Sequence, residues 1–428
     1  MELSSEILRG LSALPIFDPH SHIVPLQPAA RTLTDLLGYH YYTELVHSAG
    51  AARSWIEQAD ITPHERARRI VQHLEPLSNT VQYQWLVEIC QRWFGLTEER
   101  LHAGNWEEVY QSAERRMAAP GWIDELLNAD RIEAILLTND FDDPLSGWDL
   151  QRYVPCLRTD DIVFHFGRPD VRRRWLAATN TESLEPVTIR EAIAGLVDRF
   201  CERRAAACAI SLPPDFCPQR ISLGRAATAL EAIVRDEGSS QASHHRAAAQ
   251  FLFWTIAEQC AARQLPFDLM IGVNRRVYPH GVYQGQDLFD SRVSLIQYAD
   301  LFNSFPELPF PISVLASTTN QELASYAWIF PNVITNGHWW YSNTPSWIAR
   351  DLAARLEAVP QNKQIGYYSD AYKLEFIAPK FQMYRRVMSR VLAEDFCGGR
   401  GWSVERAVAL GTEILLHNPR RMFVSRSS

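Results

Sequence analysis

Short apolar runs and longer segments of helical period alternate along most of this chain. The first run, Pro15-Ile16-Phe17, leads into Asp18-Pro19-His20-Ser21-His22. In an extended strand the side chains alternate between faces, so His20 and His22 point to the same side. From residue 25 to 130 the spacing is helical, as in Val81–Phe94 and Trp106–Met117, and no convincing strand interrupts it. From Arg131 the texture changes. Ile132–Thr138, Ile162–Phe166, Ala207–Leu212, Phe267–Val273, Pro311–Ala316, Asn332–Thr335 and Gln364–Ser369 read as buried strands. Helical stretches such as Ala247–Arg263, Asn320–Ile329 and Pro345–Ala358 stand between them. With the opening run this makes eight strand units, most followed by a helix. Such alternation predicts parallel strands with right-handed crossovers, and eight of them a (β/α)8 TIM barrel of the α/β class. The expected organisation is one barrel domain over 1–428 with a helical insertion at 25–130 above its mouth. No G-x-G-x-x-G follows the first strand and no Walker loop occurs, so an open nucleotide-binding sheet lacks support.

Composition narrows the function classes. At 428 residues, 46% hydrophobic and 21% charged, the chain is globular and long enough to bury a large core. A net charge of -8 argues against a general nucleic-acid binder. The basic runs Arg172-Arg173-Arg174 and Arg420-Arg421 read as solvated helix faces. Seven scattered cysteines, none in a C-x-x-C pair, indicate neither a disulfide framework nor a zinc ribbon. A reducing cytoplasm fits best. The first residues lack the basic start and apolar core of a secretory signal, and no stretch has the length of a membrane span.

Barrel active sites collect at the carboxyl ends of the strands. On this reading those ends carry His20 and His22, Asn139 and Asp140, Arg168, Ser211, Arg275 and Arg276, Ser317 and Thr318. Asn336, His338, Trp339 and Trp340 follow the seventh run, and Asp370, Tyr372 and Lys373 the eighth. Two imidazoles and a carboxylate, with water completing the sphere, suit a catalytic Zn²⁺ or related divalent ion. His20, His22 and Asp370 are the candidate ligands, because the first and eighth strands become neighbours when a barrel closes. The alternative is two histidines held by ordinary hydrogen bonds and an aspartate capping a helix. Arg168 and Arg275 over the same mouth suggest an anionic substrate, since guanidinium groups pair with carboxylate or phosphate. His338 and Trp340 are candidates to line a sugar-binding pocket, or equally to fill the core.

These strand-end residues resemble the uronate isomerase family (glucuronate/galacturonate isomerase) of the amidohydrolase superfamily. The resemblance covers nearly the whole chain. Phe17-Asp18-Pro19-His20-Ser21-His22 is similar to the family's metal-binding opening, and His40-Tyr41 to its His-Tyr in the insertion. Leu137-Thr138-Asn139-Asp140 resembles its Thr-Asp-Asp, Arg168-Pro169-Asp170 its Arg-Pro-Asp, and Ile271-Gly272-Val273-Asn274-Arg275 its Ile-Gly-x-x-Arg. Gly337-His338-Trp339-Trp340-Tyr341, Ser369-Asp370, Tyr384-Arg385-Arg386 and Asn418-Pro419-Arg420-Arg421 continue the match in order. The resemblance implies a barrel of the metal-dependent hydrolase type acting on a small acidic sugar, with no nucleic-acid or membrane partner. A homo-oligomer is compatible with it. It further implies proton transfer between C1 and C2 of an aldose uronate through an enediolate. His20, His22 and Asp370 would hold a divalent metal, zinc first among the expectations. Asp370 would also accept a hydroxyl proton, Tyr41 would shuttle a proton, and Arg168 and Arg275 would bind the anion.

Three departures mark this chain within that pattern. The family's last-strand Asp-x-Arg reads Asp370-Ala371-Tyr372, where Lys373 could replace the charge but not the planar fork. Its fifth-strand His-Ile-Gly reads Met270-Ile271-Gly272, and its fourth-strand Ser-Asp-His reads Ser211-Leu212-Pro213. His338 stands where a small residue is usual. The competing reading is therefore a metal-dependent hydrolase or lyase of the same superfamily acting on another acidic substrate. A third is a non-catalytic sugar-acid binder.

Overall fold

In the computed structural model of the chain, residues 2–236 and 240–424 are described. Part of the polar stretch around Asp236–Arg246, residues 237–239, lies outside them. Eight strands build the barrel: β1 (Ile16–Asp18), β2 (Ile132–Leu136), β3 (Tyr153–Val154 and Cys156–Arg158), β4 (Ala207–Leu212), β5 (Phe267–Ile271), β6 (Phe310–Val314), β7 (Val333–Asn336) and β8 (Gln364–Ile365). All pair in parallel, β1 with β2 and β2 with the first half of β3, then the second half of β3 onward to β8. Pro155 divides β3 because it has no N–H to give the ladder, but its carbonyl still accepts from the Ala206 N–H at 2.8 Å. The ring is joined at the carboxyl ends of the first and last strands. There the His22 N–H donates to the Ala371 carbonyl at 2.8 Å and the Asp370 N–H to the His20 carbonyl at 3.1 Å.

Strand periodicity divides the interior into an inner and an outer core. Cys208, Ile210 and Leu212 of β4 and Phe267, Leu269 and Ile271 of β5 pack outward, in one apolar cluster with Ile193, Val197, Phe253 and Ala257 of the covering helices. The alternating inward positions are small: Ala134, Cys156, Ala207 and Ala209 share the barrel centre with Phe17, Ile334 and Ile365. Leu416 and Phe423, from the end of the chain, enter this inner cluster.

One expected strand is corrected. Ile162–Phe166 is not extended: Asp160–Phe164 is a single helical turn, followed by the helix Pro169–Thr179. A five-residue apolar run does not distinguish a strand from a buried helical turn, and the proline inside Tyr153–Arg158 concealed the true third strand. Four other runs end earlier than expected: β2 at Leu136, β5 at Ile271, β6 at Val314 and β8 at Ile365. After β5 the backbone turns at Gly272 (φ +114°), and Val273–Asn274 pairs antiparallel with Leu288–Phe289 in a separate hairpin.

Between β1 and β2 the elements from Leu33 to Ala129 are helical, with no strand among the described residues. Within this stretch the helix His40–Ser48 reaches the carboxyl ends of the barrel strands. Its His40 ring packs edge-on against Trp340 at 5.8 Å and Tyr372 at 5.5 Å. Among the described residues no helix is long and apolar enough to cross a membrane.

Candidate active site

β1 ends at Asp18, and the segment after it carries His20 and His22 to the centre of the mouth. Ligand atoms of His20, His22 and Asp370 lie within 4.8 Å of one another. Asp370 Oδ1 stands 3.2 Å from His22 Nε2 and 3.6 Å from His20 Nε2. The ring of His22 is set from behind. The Thr138 hydroxyl donates to the Ser21 carbonyl at 3.1 Å and faces His22 Nδ1 at 2.8 Å. That contact at Nδ1 fixes the ring so that Nε2 is turned to Asp370. Tyr372 stacks on the same ring at 4.8 Å.

Asp370 sits in the left-handed region (φ +51°) and is held on both sides of its peptide. Its N–H bonds the His20 carbonyl, and its own carbonyl accepts from the Tyr39 hydroxyl at 2.9 Å. Burial opposes its ionisation, but the two imidazoles and the Lys380 ammonium hold its carboxyl at about 2. Burial drives the His20 imidazole down to about 3, so it is neutral. His20 Nε2 and Asp370 Oδ1 are both buried without a hydrogen-bond partner. An unpartnered ring nitrogen and an unpartnered anionic oxygen buried 3.6 Å apart, with the second imidazole beside them, are costly unless a cation lies among them. The donor set therefore fits a divalent metal. His20 Nδ1 also lies 4.0 Å from Asp268 Oδ2, whose carboxyl is raised to about 7 by burial and steadied by the Asn336 amide at 3.2 Å.

Around this cluster runs a wall of buried polar atoms that protein groups leave unpaired: His40 Nδ1, Tyr41 Oη, Tyr368 Oη and Trp340 Nε1. Tyr41 is buried and its phenol is raised well above the ordinary range, first by burial and then by the Asp370 charge. Tyr368 reaches His20 (ring centres 5.2 Å apart) because residue 337 is glycine. A Cβ there would lie 2.3 Å from the Tyr368 ring, and the backbone has φ +51°. Beneath the wall lies a fully buried lysine. Lys380 Nζ donates to Tyr39 Oη at 3.0 Å and to the Ser369 carbonyl at 2.8 Å, with the Tyr41 and Trp85 rings 5.1 and 4.8 Å away. Burial lowers its ammonium to about 8.

The expected anion-binding groups are placed differently. Arg168 is exposed and forms a bidentate pair with Asp170 at 3.0 and 2.8 Å. Arg275 is half-exposed and pairs with Asp287 at 2.7 Å. The charges of both still act on the His165 imidazole, so they share one side of the mouth. Lys373 donates to the Gln27 carbonyl at 3.0 Å. His338 is buried against Tyr384 (5.8 Å), with both ring nitrogens unpartnered and its basicity suppressed by burial and by Arg355. Met270 joins Trp339 and Tyr368 in a small apolar floor. Asn139 bonds Asp143 at 3.0 Å, and Asp140 pairs with Arg174 at 3.1 Å.

Sequence reasoning overlooked Arg158, Lys380 and Asp268. Arg158 ends the true third strand, lies 3.4 Å from Asp160, and its charge acts on His20, Asp140 and Tyr372. Arg158-Thr159-Asp160 has the same Arg-x-Asp spacing as Arg168-Pro169-Asp170, so the signal was present and hidden by the misplaced strand. Lys380 occupies an apolar-period position with Ile377, Tyr384 and Val387 on the helix Ile377–Val391. A lysine there signals a buried ammonium.

Fold and site together define a (β/α)8 barrel of the metal-dependent hydrolase type, its candidate ligands joining the first and last strands. No family model matches the chain. It is 24% identical over 431 residues to the uronate isomerase of Brucella canis, covering 92% of this chain and 90% of that protein. The uronate isomerase of Thermotoga maritima superposes with a TM-score of 0.90 at 17% identity, over 99% of this chain and 97% of that one. The glucuronate isomerase of Caulobacter crescentus does so with a TM-score of 0.90 at 20% identity, over 100% and 95%. The chain is a divergent relative of the uronate isomerases.

Proposed function

We propose that the protein is a metal-dependent isomerase that interconverts an aldose uronate, of the D-glucuronate or D-galacturonate type, and its ketose. The observation that carries this reading is the ring of unpaired buried atoms around Asp370, at the end of a barrel shared with uronate isomerases. Unsatisfied polar groups of this kind are costly unless a polar ligand completes them. His20, His22 and Asp370 would hold the cation, with zinc suited to two imidazoles and a carboxylate. When bound it polarises substrate oxygens as a Lewis acid. Asp370 carries the hydroxyl proton between O2 and O1, and Tyr41, acting as its phenolate, takes the proton from C2 and returns it to C1, so substrate and product have equal mass. The Lys380 ammonium, 5.1 Å from the Tyr41 ring centre, offsets charge on that phenol during transfer. Arg158 is the arginine best placed for the substrate carboxylate, with Arg275 and Arg168 on the same side.

The test is incubation of purified protein with D-glucuronate and D-galacturonate in deuterated buffer, with and without chelator. The expected result is a ketose of unchanged skeleton with solvent deuterium at C1 or C2, lost on chelation. No turnover of any uronate removes the proposal. A second reading, a hydrolase or lyase for another acidic substrate, draws support from the apolar Met270 floor and from cations already engaged by Asp287 and the Gln27 carbonyl. A change in product mass would favour it.

A further inference from the structure

Among the described residues no ladder pairs β1 with β8, so other bonds close the seam of the barrel. The segment Ser369-Asp370-Ala371 lies on that seam, and each of its backbone N–H and C=O groups is bonded. His20, His22, Tyr39 and Lys380 supply four of the partners. The remaining anchor is Asp18, the last residue of β1. Its carboxyl is buried and accepts from the Ser369 N–H at 2.8 Å and from the Ser369 hydroxyl. That hydroxyl oxygen accepts in turn from the Ala371 N–H at 3.1 Å. One carboxyl thus braces the residues on both sides of Asp370.

We propose that Asp18 is a positioning residue for the metal, which fixes the Asp370 carboxylate where His20 and His22 converge. This rests on the reading of those three residues as ligands. Asp18 is not a member of that cluster, and both of its oxygens are engaged by Ser369. Asp370 holds the left-handed region at φ +51°, a conformation that persists only where neighbouring bonds impose it. The Asp18 charge also acts, with that of Asp370, on the Lys380 ammonium, so one buried cation serves both carboxyls. Bonds behind a ligand set how well it is presented, and removing them commonly weakens metal binding about 10–100-fold. A brace that only closed the seam would behave differently. Its loss would lower thermal stability and leave the cation affinity of the folded protein as it was.

Zinc affinity of the full chain, measured by competition with a chromogenic chelator, reads this role without turnover. Asp18→Ala is expected to weaken the zinc Kd about thirtyfold. Asp18→Asn keeps an acceptor for the Ser369 N–H and a polar contact to its hydroxyl, and should weaken it less than about threefold. Asn332→Ala is the control for lost stability alone. It removes a buried amide bonded to the Phe302 and Phe305 carbonyls at the amino end of β7, so the melting temperature should fall and the zinc Kd stay unchanged. Thermal melting shows which variants fold. Should Asp18→Ala not fold, Ser369→Ala, which removes only the hydroxyl, is read in its place, with an expected weakening of about fivefold. An unchanged Kd in the folded variant, equal weakening by Asp18→Ala and Asp18→Asn, a matching loss in Asn332→Ala, or no zinc binding by the wild type overturns the inference. Uronate turnover by the wild type decides the isomerase reading separately.

Discussion

The two sides of the barrel mouth treat their polar groups in opposite ways. Where the first strand meets the last, His20 Nε2, Asp370 Oδ1, His40 Nδ1 and Tyr41 Oη are buried and unpaired. Across the mouth the charges are already engaged: Arg158 with Asp160, Arg168 with Asp170, and Arg275 with Asp287. The first side has been emptied for a ligand and is held rigid from behind by Thr138, Tyr39 and Lys380. The second offers cations that a substrate must win from resident carboxylates. Electrostatic work at the first side is done in advance by the fold, whereas at the second it is done on binding. Chemistry therefore belongs to the first side and selectivity to the second.

The sharpest way to break this contrast is at Asp370. Asp370→Asn should abolish bound metal and lower kcat/KM at least about a thousandfold, near 4 kcal/mol of transition-state stabilisation. Metal analysis beside kinetics checks it, and a metal-loaded, active Asp370→Asn would overturn the ligand assignment. On the arginine side, Arg158→Met should raise KM for a uronate about tenfold with a smaller change in kcat, given partial exposure and competition from Asp160.

Glu375 tests whether burial rather than pairing sets the charge near the last strand. It accepts from the Ala30 N–H at 3.0 Å and the Trp122 indole at 3.1 Å, and burial raises its carboxyl to about 7. Between its ordinary value and 7 the folded state keeps a proton that the unfolded chain releases. Its contribution is thus full in acid and lost as pH rises through 7. Glu375→Gln should flatten that decline by on the order of 2 kcal/mol in denaturant unfolding between pH 5 and 8. A slope identical to wild type would place the effect elsewhere. Smallest of all is Arg168→Met. With the Arg168–Asp170 pair in solvent, KM should shift within about twofold, and a change matching that of Arg158→Met would reverse the roles of the two Arg-x-Asp segments.

Much of this was legible in the chain because local pattern and barrel closure reinforce each other. Seven of the eight strands occupy runs visible as apolar segments, and the helical period between β1 and β2 is helical in the structure. His20, His22 and Asp370 could be grouped before any coordinates, since in a closed barrel the strand that begins the sheet adjoins the one that ends it. The third strand was not legible, because a proline at its centre imitates a loop and a neighbouring helical turn imitates a strand.

The sequence by itself determined the barrel, its eight-fold order and the imidazole-carboxylate set, all of which follow from periodicity and connectivity. Only the tertiary structure decided which cations are free, which carboxyls are buried, and which atoms lack partners. Those properties belong to the space between elements, and spacing along one chain does not encode them. Arg158 and Arg168 carry the same chemistry in the same local pattern. Packing brings the charge of one to bear on His20 and leaves the other in solvent, paired to its own neighbour.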